Sequence, residues 1–198
     1  MKRCKHCKQE FEPFRPLQSV CSVGCAVELE KIKEQKKRKR AWNNRKRQLK
    51  EEIKTRSELT KELQKLVNQI VREIDHTESC ISCRTRVAKF DAGHFFSTGA
   101  HPELRFNFLN IYKQCSQCNQ HKHGNLLEYR ESLILAGVLK EVENLRLEYK
   151  ELKPSKDDLT QAIIKAKEIR KQVRQGIYKD CDKIELRKLL NLKLGLYG

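Results

Sequence analysis

Eight of the nine cysteines in this 198-residue chain fall into two sets of four, and that grouping limits the possible folds more than any other feature. Cys4-x2-Cys7 is followed by Cys21-x3-Cys25, and Cys80-x2-Cys83 by Cys115-x2-Cys118. A Cys-x2-Cys turn aims two thiolates at one point, so two such pairs suit one tetrahedral zinc ion. Four thiolates leave no open position on the metal, so zinc held by Cys80, Cys83, Cys115 and Cys118 is expected to be structural. The first set is expected to form a zinc knuckle, because 25 residues cannot bury a core unaided.

Composition supports metal. Only 38% of the residues are hydrophobic and 35% are charged, too little apolar matter for a large core, and metals replace part of it. No apolar segment follows Met1-Lys2-Arg3-Cys4, so no signal peptide is expected. The expected compartment is the reducing cytoplasm, where paired cysteines mean metal rather than disulfide. The longest apolar run, Leu133 to Leu139, is far too short to cross a bilayer.

The formal charge is +17, from 43 basic and 26 acidic residues. Such an excess calls for a polyanionic partner, with nucleic acid as the leading choice. A membrane surface is disfavoured because the basic run lacks an apolar face.

Four segments are expected: a knuckle over 1–25, a basic helical segment over 26–57, a zinc-bound core with its preceding helix over 58–130, and a helical region over 131–198. No glycine or proline occurs from Ala26 to Ala92, which favours one long or two consecutive helices. The first part carries Lys36, Lys37, Arg38, Lys39, Arg40, Arg45, Lys46 and Arg47 on every helical face, as expected of a segment that binds phosphates. Trp42 sits among them and is open to two readings, packing on a sugar or base or anchoring against protein. Leu59, Leu63, Leu66, Val67, Ile70, Val71 and Ile74 then recur at helical spacing, with Thr55 and Glu58 as a capping box, and this helix is expected to pack on the metal-stapled centre. Strands are expected within 87–96 and 111–114, and a helix from Ser116. Further helices are expected over 126–136, 138–152, 155–175 and 183–194.

The residues between the second set of cysteines suit phosphodiester cleavage. That reaction needs a base to deprotonate water and a hard cation to neutralise charge on the phosphate. His94 is the candidate base, and Asp91, Asn119 and His123 are candidate ligands of Mg2+ or Mn2+. Asn110 is placed to fix the loop and orient the imidazole. Arg105 and Lys122 are candidates to hold phosphate.

The order of these residues resembles that of the HNH (ββα-metal) endonucleases of the four-cysteine type, which include the endonuclease VII junction resolvases. That resemblance implies a mainly α protein with a small zinc-stapled ββα-metal core, and it makes Asn119, directly after Cys118, a ligand of the catalytic metal. The acidic ligand in such enzymes stands immediately before the base. Here that position is Gly93, and the nearest acid is Asp91.

A denser likeness runs through Asp91-Ala92-Gly93-His94-Phe95, Leu104-Arg105-Phe106-Asn107, Asn110-Ile111, Lys113-Gln114-Cys115, Cys118-Asn119-Gln120-His121-Lys122 and Gly124-Asn125-Leu126, with Tyr129-Arg130. These residues resemble the NinG/Rap family of lambdoid phage recombination proteins. The resemblance implies a structure-specific endonuclease for branched intermediates such as Holliday junctions and D-loops. It leaves His121, His123 and Asn125 as rivals for the last ligand position.

Branched DNA is then the expected partner, with host or phage recombination proteins as further candidates. Cutting two opposed strands calls for a homodimer, whose interface is expected on the 58–74 helix or the C-terminal helices. The alternatives are a non-catalytic double zinc module that binds nucleic acid, and an HNH enzyme that reads sequence rather than shape.

Overall fold

The computed structural model describes residues 1–150 and 152–197, and the side chains of all of these except Lys50 and Glu51. It divides at Lys54/Thr55 into two compact units, not into four segments.

In the first unit two short strands, β1 (Lys2–Arg3) and β2 (Glu10–Phe11), pair antiparallel with Lys2 opposite Phe11. Cys4 and Cys7 lie in the turn between them. Helix α1 spans Val23–Glu52, so Cys25 stands in its first turn. One knuckle cysteine therefore comes from the basic helix itself, which is why 1–25 and 26–57 do not separate. Among the described residues no apolar stripe runs along α1, and Lys36 to Arg40 and Arg45 to Arg47 are all exposed. Pairs Glu28–Lys31, Glu30–Lys33 and Glu34–Arg38 lie along its first half at helical spacing.

The second unit is mainly helical around one small sheet. Thr55 caps α2 (Arg56–Ile74) through a capping box with Glu58. Strands β3 (Phe90–His94) and β4 (Ile111–Cys115) form an antiparallel hairpin, with Phe90 opposite Cys115 and His94 opposite Ile111. A wide π-helical turn, Gln117–His121, leads to α3 (Leu126–Leu135) and α4 (Leu139–Glu148). Ser155 and Asp158 make the capping box of α5 (Lys156–Arg174), and α6 follows over Lys183–Leu194. Position 151, within the helix expected over 138–152, lies outside the described residues.

The hairpin separates two apolar cores. On one side Ala92 and Ile111 join the α2 stripe, the α5 residues Leu159, Ala162, Ile163, Ala166 and Ile169, and Leu186, Leu190 and Leu194 of α6. On the other, Tyr112 packs with Tyr129 and Leu133 of α3 and Val142 and Leu145 of α4. Because α5 and α6 complete the core that α2 begins, residues 131–198 belong with 58–130. The apolar face of α2 is consumed in that core. No helix among the described residues is long and apolar enough to cross a membrane.

Candidate metal centres and active site

Both cysteine sets gather, and they are built alike. In each knuckle the first cysteine N–H donates to a carbonyl five residues on, Cys4 to Gln9 and Cys80 to Thr85, both at 2.9 Å. The residue after the second cysteine turns back to the first, with Lys8 N–H on the Cys4 carbonyl at 3.1 Å and Arg84 N–H on the Cys80 carbonyl at 2.9 Å. Lys8 (φ 66°) and Arg84 (φ 59°) adopt the left-handed conformation this turn demands, although neither is glycine. This repeat is hidden in the sequence, because the left-handed position carries no glycine to mark it.

Sulfur–sulfur distances are 3.5 Å for Cys7–Cys21 and Cys21–Cys25, and 3.6 Å for Cys83–Cys115. Those spacings are far beyond a disulfide and close to the edge of a ZnS4 tetrahedron, about 3.8 Å for Zn–S bonds of about 2.3 Å. Amide groups support the sulfurs: Cys115 N–H donates to Cys80 Sγ at 3.3 Å, Cys21 N–H to Cys4 Sγ at 3.4 Å, and Asn125 Nδ2 to Cys118 Sγ at 3.6 Å. Burial pushes the Cys80 thiol up, but the N–H groups of Cys115, Cys83 and Ser82 outweigh it and bring it down to about 7. At Cys4 the same contest, with N–H groups from Cys21, Cys7 and His6, ends at about 6. Each set could hold one metal ion, and an all-thiolate tetrahedron suits zinc.

His94 ends β3, half-buried, with Nε2 3.0 Å from the main-chain oxygen of Arg105. A carbonyl oxygen only accepts, so Nε2 carries the proton and Nδ1 keeps its lone pair. Burial lowers the pKa of the ring, opposed by the Arg105 carbonyl and aided by the Arg105 charge. The Asn110 side chain makes its hydrogen bonds elsewhere than to the imidazole. It is fully buried, accepts from Phe96 N–H at 2.8 Å, and donates to the carbonyls of Phe96 at 3.0 Å and Leu104 at 3.2 Å. It thus clamps both ends of the loop that carries Arg105, and the Arg105 carbonyl orients the ring.

Asp91 accepts from Gln120 Nε2 at 2.9 Å and from Asn119 Nδ2 at 3.4 Å. Burial would raise its carboxyl pKa, but hydrogen bonds from Ser116, Gln120 and Asn119 hold it below the usual value. Asp91 and Asn119 are therefore together. Strand alternation puts Asp91 and His94 on opposite faces of β3, about 10 Å apart along it.

His121, Lys122 and His123 are exposed, and His123 lies in a left-handed turn. Asn125 serves the Cys118 sulfur. Among the described residues neither histidine forms a hydrogen bond or ion pair with Asp91, whose carboxylate accepts from Gln120 and Asn119. Trp42 stands 69% exposed, not anchored in its own unit.

Gln114 and Tyr129, which carry part of the family likeness but no assigned role, shape this region. Gln114, opposite Asp91, is fully buried and folds over Gly93, where a Cβ would lie 2.1 Å from its Oε1. The place before His94 is thus occupied, and no acid fits there. Tyr129 donates its hydroxyl to the Gly93 carbonyl at 3.0 Å and pins the same position from α3. Burial of a polar side chain has no local signature, so neither role was visible beforehand.

The family model described as bacteriophage lambda NinG protein matches residues 1–176. Similar curated proteins include the NinG protein of Escherichia phage lambda, 42% identical over 150 residues that make up 67% of this chain and 74% of that protein. The NinG protein of Salmonella phage P22 is 36% identical over 166 residues, 75% of this chain and 82% of its own. That of Escherichia phage 933W is 41% identical over 148 residues, 67% and 74% of the two chains. No solved structure matches. With a family model covering most of its length and relatives of this identity, the chain belongs to the NinG family.

Proposed function

We propose that this protein is a metal-dependent, structure-specific DNA endonuclease that hydrolyses phosphodiester bonds in branched recombination intermediates, Holliday junctions and D-loops among them. The observation that carries this reading is the state of His94. Its Nε2–H is committed to the Arg105 carbonyl, and among the described residues its Nδ1 has no partner. Burial keeps the ring neutral near pH 7, as a general base requires. In the proposed reaction Nδ1 takes a proton from the attacking water, and the Arg105 carbonyl steadies the imidazolium that results.

Asp91 and Asn119 are the residues that would hold a hard cation. The Asp91 carboxylate is kept ionised, and Asn119, whose Nδ2 faces it at 3.4 Å, would offer Oδ1 once its amide turns over; that pair suits Mg2+ or Mn2+, which fill their remaining positions with water and phosphate oxygens. Such a cation supplies neutralisation of the charge that grows on the phosphate and leaving oxygen. Because His94 and Asp91 leave β3 on opposite faces, a phosphodiester that meets both has to lie across the outer edge of that strand. The net charge of +17 supports a DNA partner, and cleavage of paired strands implies a homodimer.

A second reading, a non-catalytic double zinc module that binds nucleic acid, is favoured by the separation of His94 from the Asp91–Asn119 pair. Incubation of the zinc-loaded protein with a labelled four-way junction, with and without Mg2+, tests the two readings. Mg2+-dependent scission supports the nuclease, and tight binding without scission at any divalent cation leaves the binding module. Equal cleavage of junctions of unrelated sequence separates recognition of shape from recognition of sequence.

A further inference from the structure

A cleft of about 460 Å3 opens in the second unit between the start of α2, the loop before β4 and the segment leading to α5. Arg56, Arg105, Lys150 and Lys153 line it, with Glu103 as the one acid among the lining residues. The Glu103 carboxylate is taken by His101 Nδ1 at 2.9 Å. Arg56 spends Nε on the Pro154 carbonyl at 3.1 Å, and Arg105 spends Nη2 on the Thr98 carbonyl at 3.2 Å. The other guanidinium N–H groups, and both lysine ammoniums, have no partner among the described residues.

Four cations face a single carboxylate, Glu103, around one small space, and the excess positive charge is mutually repulsive. A purely structural role does not account for that arrangement, whereas an anion with several acceptor oxygens does. Arg105 also joins the cleft to the candidate base, because its carbonyl holds His94 while its side chain lines the cleft.

We infer that this cleft binds the sugar-phosphate backbone of nucleic acid, at a phosphate displaced from the one that meets His94. The choice of DNA over another polyanion rests on the nuclease reading. Lys150 and Lys153 act as point charges there, and the two arginines offer paired N–H groups to phosphate oxygens.

The test is the salt dependence of junction binding by the full chain, read by fluorescence anisotropy without added Mg2+ and with zinc retained. Lys150→Gln/Lys153→Gln should flatten the slope of log K against log salt by about 1.8, at about 0.9 per lost phosphate contact. Melting temperature checks that the fold is kept, which is expected because both side chains are exposed and unpaired. Lys140→Gln/Lys171→Gln, two exposed lysines outside the cleft, should leave the slope unchanged. An unchanged slope in the cleft variant, or an equal fall in the control, overturns the inference. So does a third outcome: inorganic phosphate raises the melting temperature of the parent but not of the cleft variant, while the DNA slope stays the same, which marks a small-anion site. Cleavage run in parallel with Mg2+ keeps the two proposals apart. A flattened slope without scission in the parent leaves the cleft and removes the nuclease, and scission with an unaltered slope does the reverse.

Discussion

Arg187 of α6 and Asp75 at the end of α2 form a buried ion pair in which Nη2 lies 2.7 Å from each carboxylate oxygen. The same guanidinium gives Nη1 to the carbonyls of Phe108 and Ile111, both at 2.8 Å, and lies 3.9 Å over the Tyr112 ring. Asp75 in turn accepts from the Lys113 N–H at 3.0 Å. One pair thus ties two helices to the strand that leads to the second zinc site. Arg187→Met strands a buried carboxylate and should cost about 3–5 kcal/mol in urea unfolding. Arg187→Met/Asp75→Leu should recover part of that loss, since apolar replacement of both partners removes the unpaired charge.

Gly93 is required by its neighbour. Gly93→Ala drives a methyl to 2.1 Å from Gln114 Oε1 and 3.0 Å from Gln114 Cβ, so stability should fall by about 1–3 kcal/mol. Gln114→Ala removes the nearer contact, so the double variant should lose less than the sum of the single losses. Additive losses in thermal unfolding would show that the two side chains do not compete for this space.

The cysteines predict a metal count. Elemental analysis should find two zinc ions per chain, falling to one in Cys115→Ser and to one in Cys21→Ser. The two cysteine sets belong to different compact units, so Cys21→Ser should leave the unfolding transition of residues 55–197 unchanged, while Cys115→Ser abolishes or lowers it. Zinc should leave as pH falls, because protons compete for the thiolates.

Much of the helical frame was legible because caps and apolar spacing are local. Thr55 with Glu58 and Ser155 with Asp158 are the capping boxes that the sequence suggests, and α6 spans Lys183–Leu194 as its pattern implies. The cysteine spacing likewise foretold two four-sulfur clusters. What stayed hidden depends on contacts across the chain. Asn110 was marked as a loop residue, but only the fold reveals that it grips Phe96 and Leu104 rather than the imidazole. Asn125 was a candidate for the hard cation and instead supports a cysteine sulfur. The Arg187–Asp75 pair joins positions 112 residues apart, a separation that no spacing rule reaches.

His94 sets a pH dependence. Burial lowers its pKa in the folded protein, so between that value and about 6.5 the unfolded chain binds more protons. The contribution to stability is fully present above about pH 6.5 and is lost as pH falls through that window. Under the proposed mechanism cleavage should also fall with acid, with its midpoint below the ordinary histidine value. NMR titration of the ring in the resting protein should report the same lowered midpoint, and a midpoint above 6.5 would contradict the burial assigned to it.

The most direct test of the nuclease proposal is a single-turnover assay on a labelled four-way junction with zinc-loaded protein, comparing the parent and His94→Ala at saturating Mg2+. The account predicts that the variant binds the junction as the parent does but cuts it at least about 100-fold more slowly, the range of a lost general base. Cutting by His94→Ala at the parental rate would contradict it.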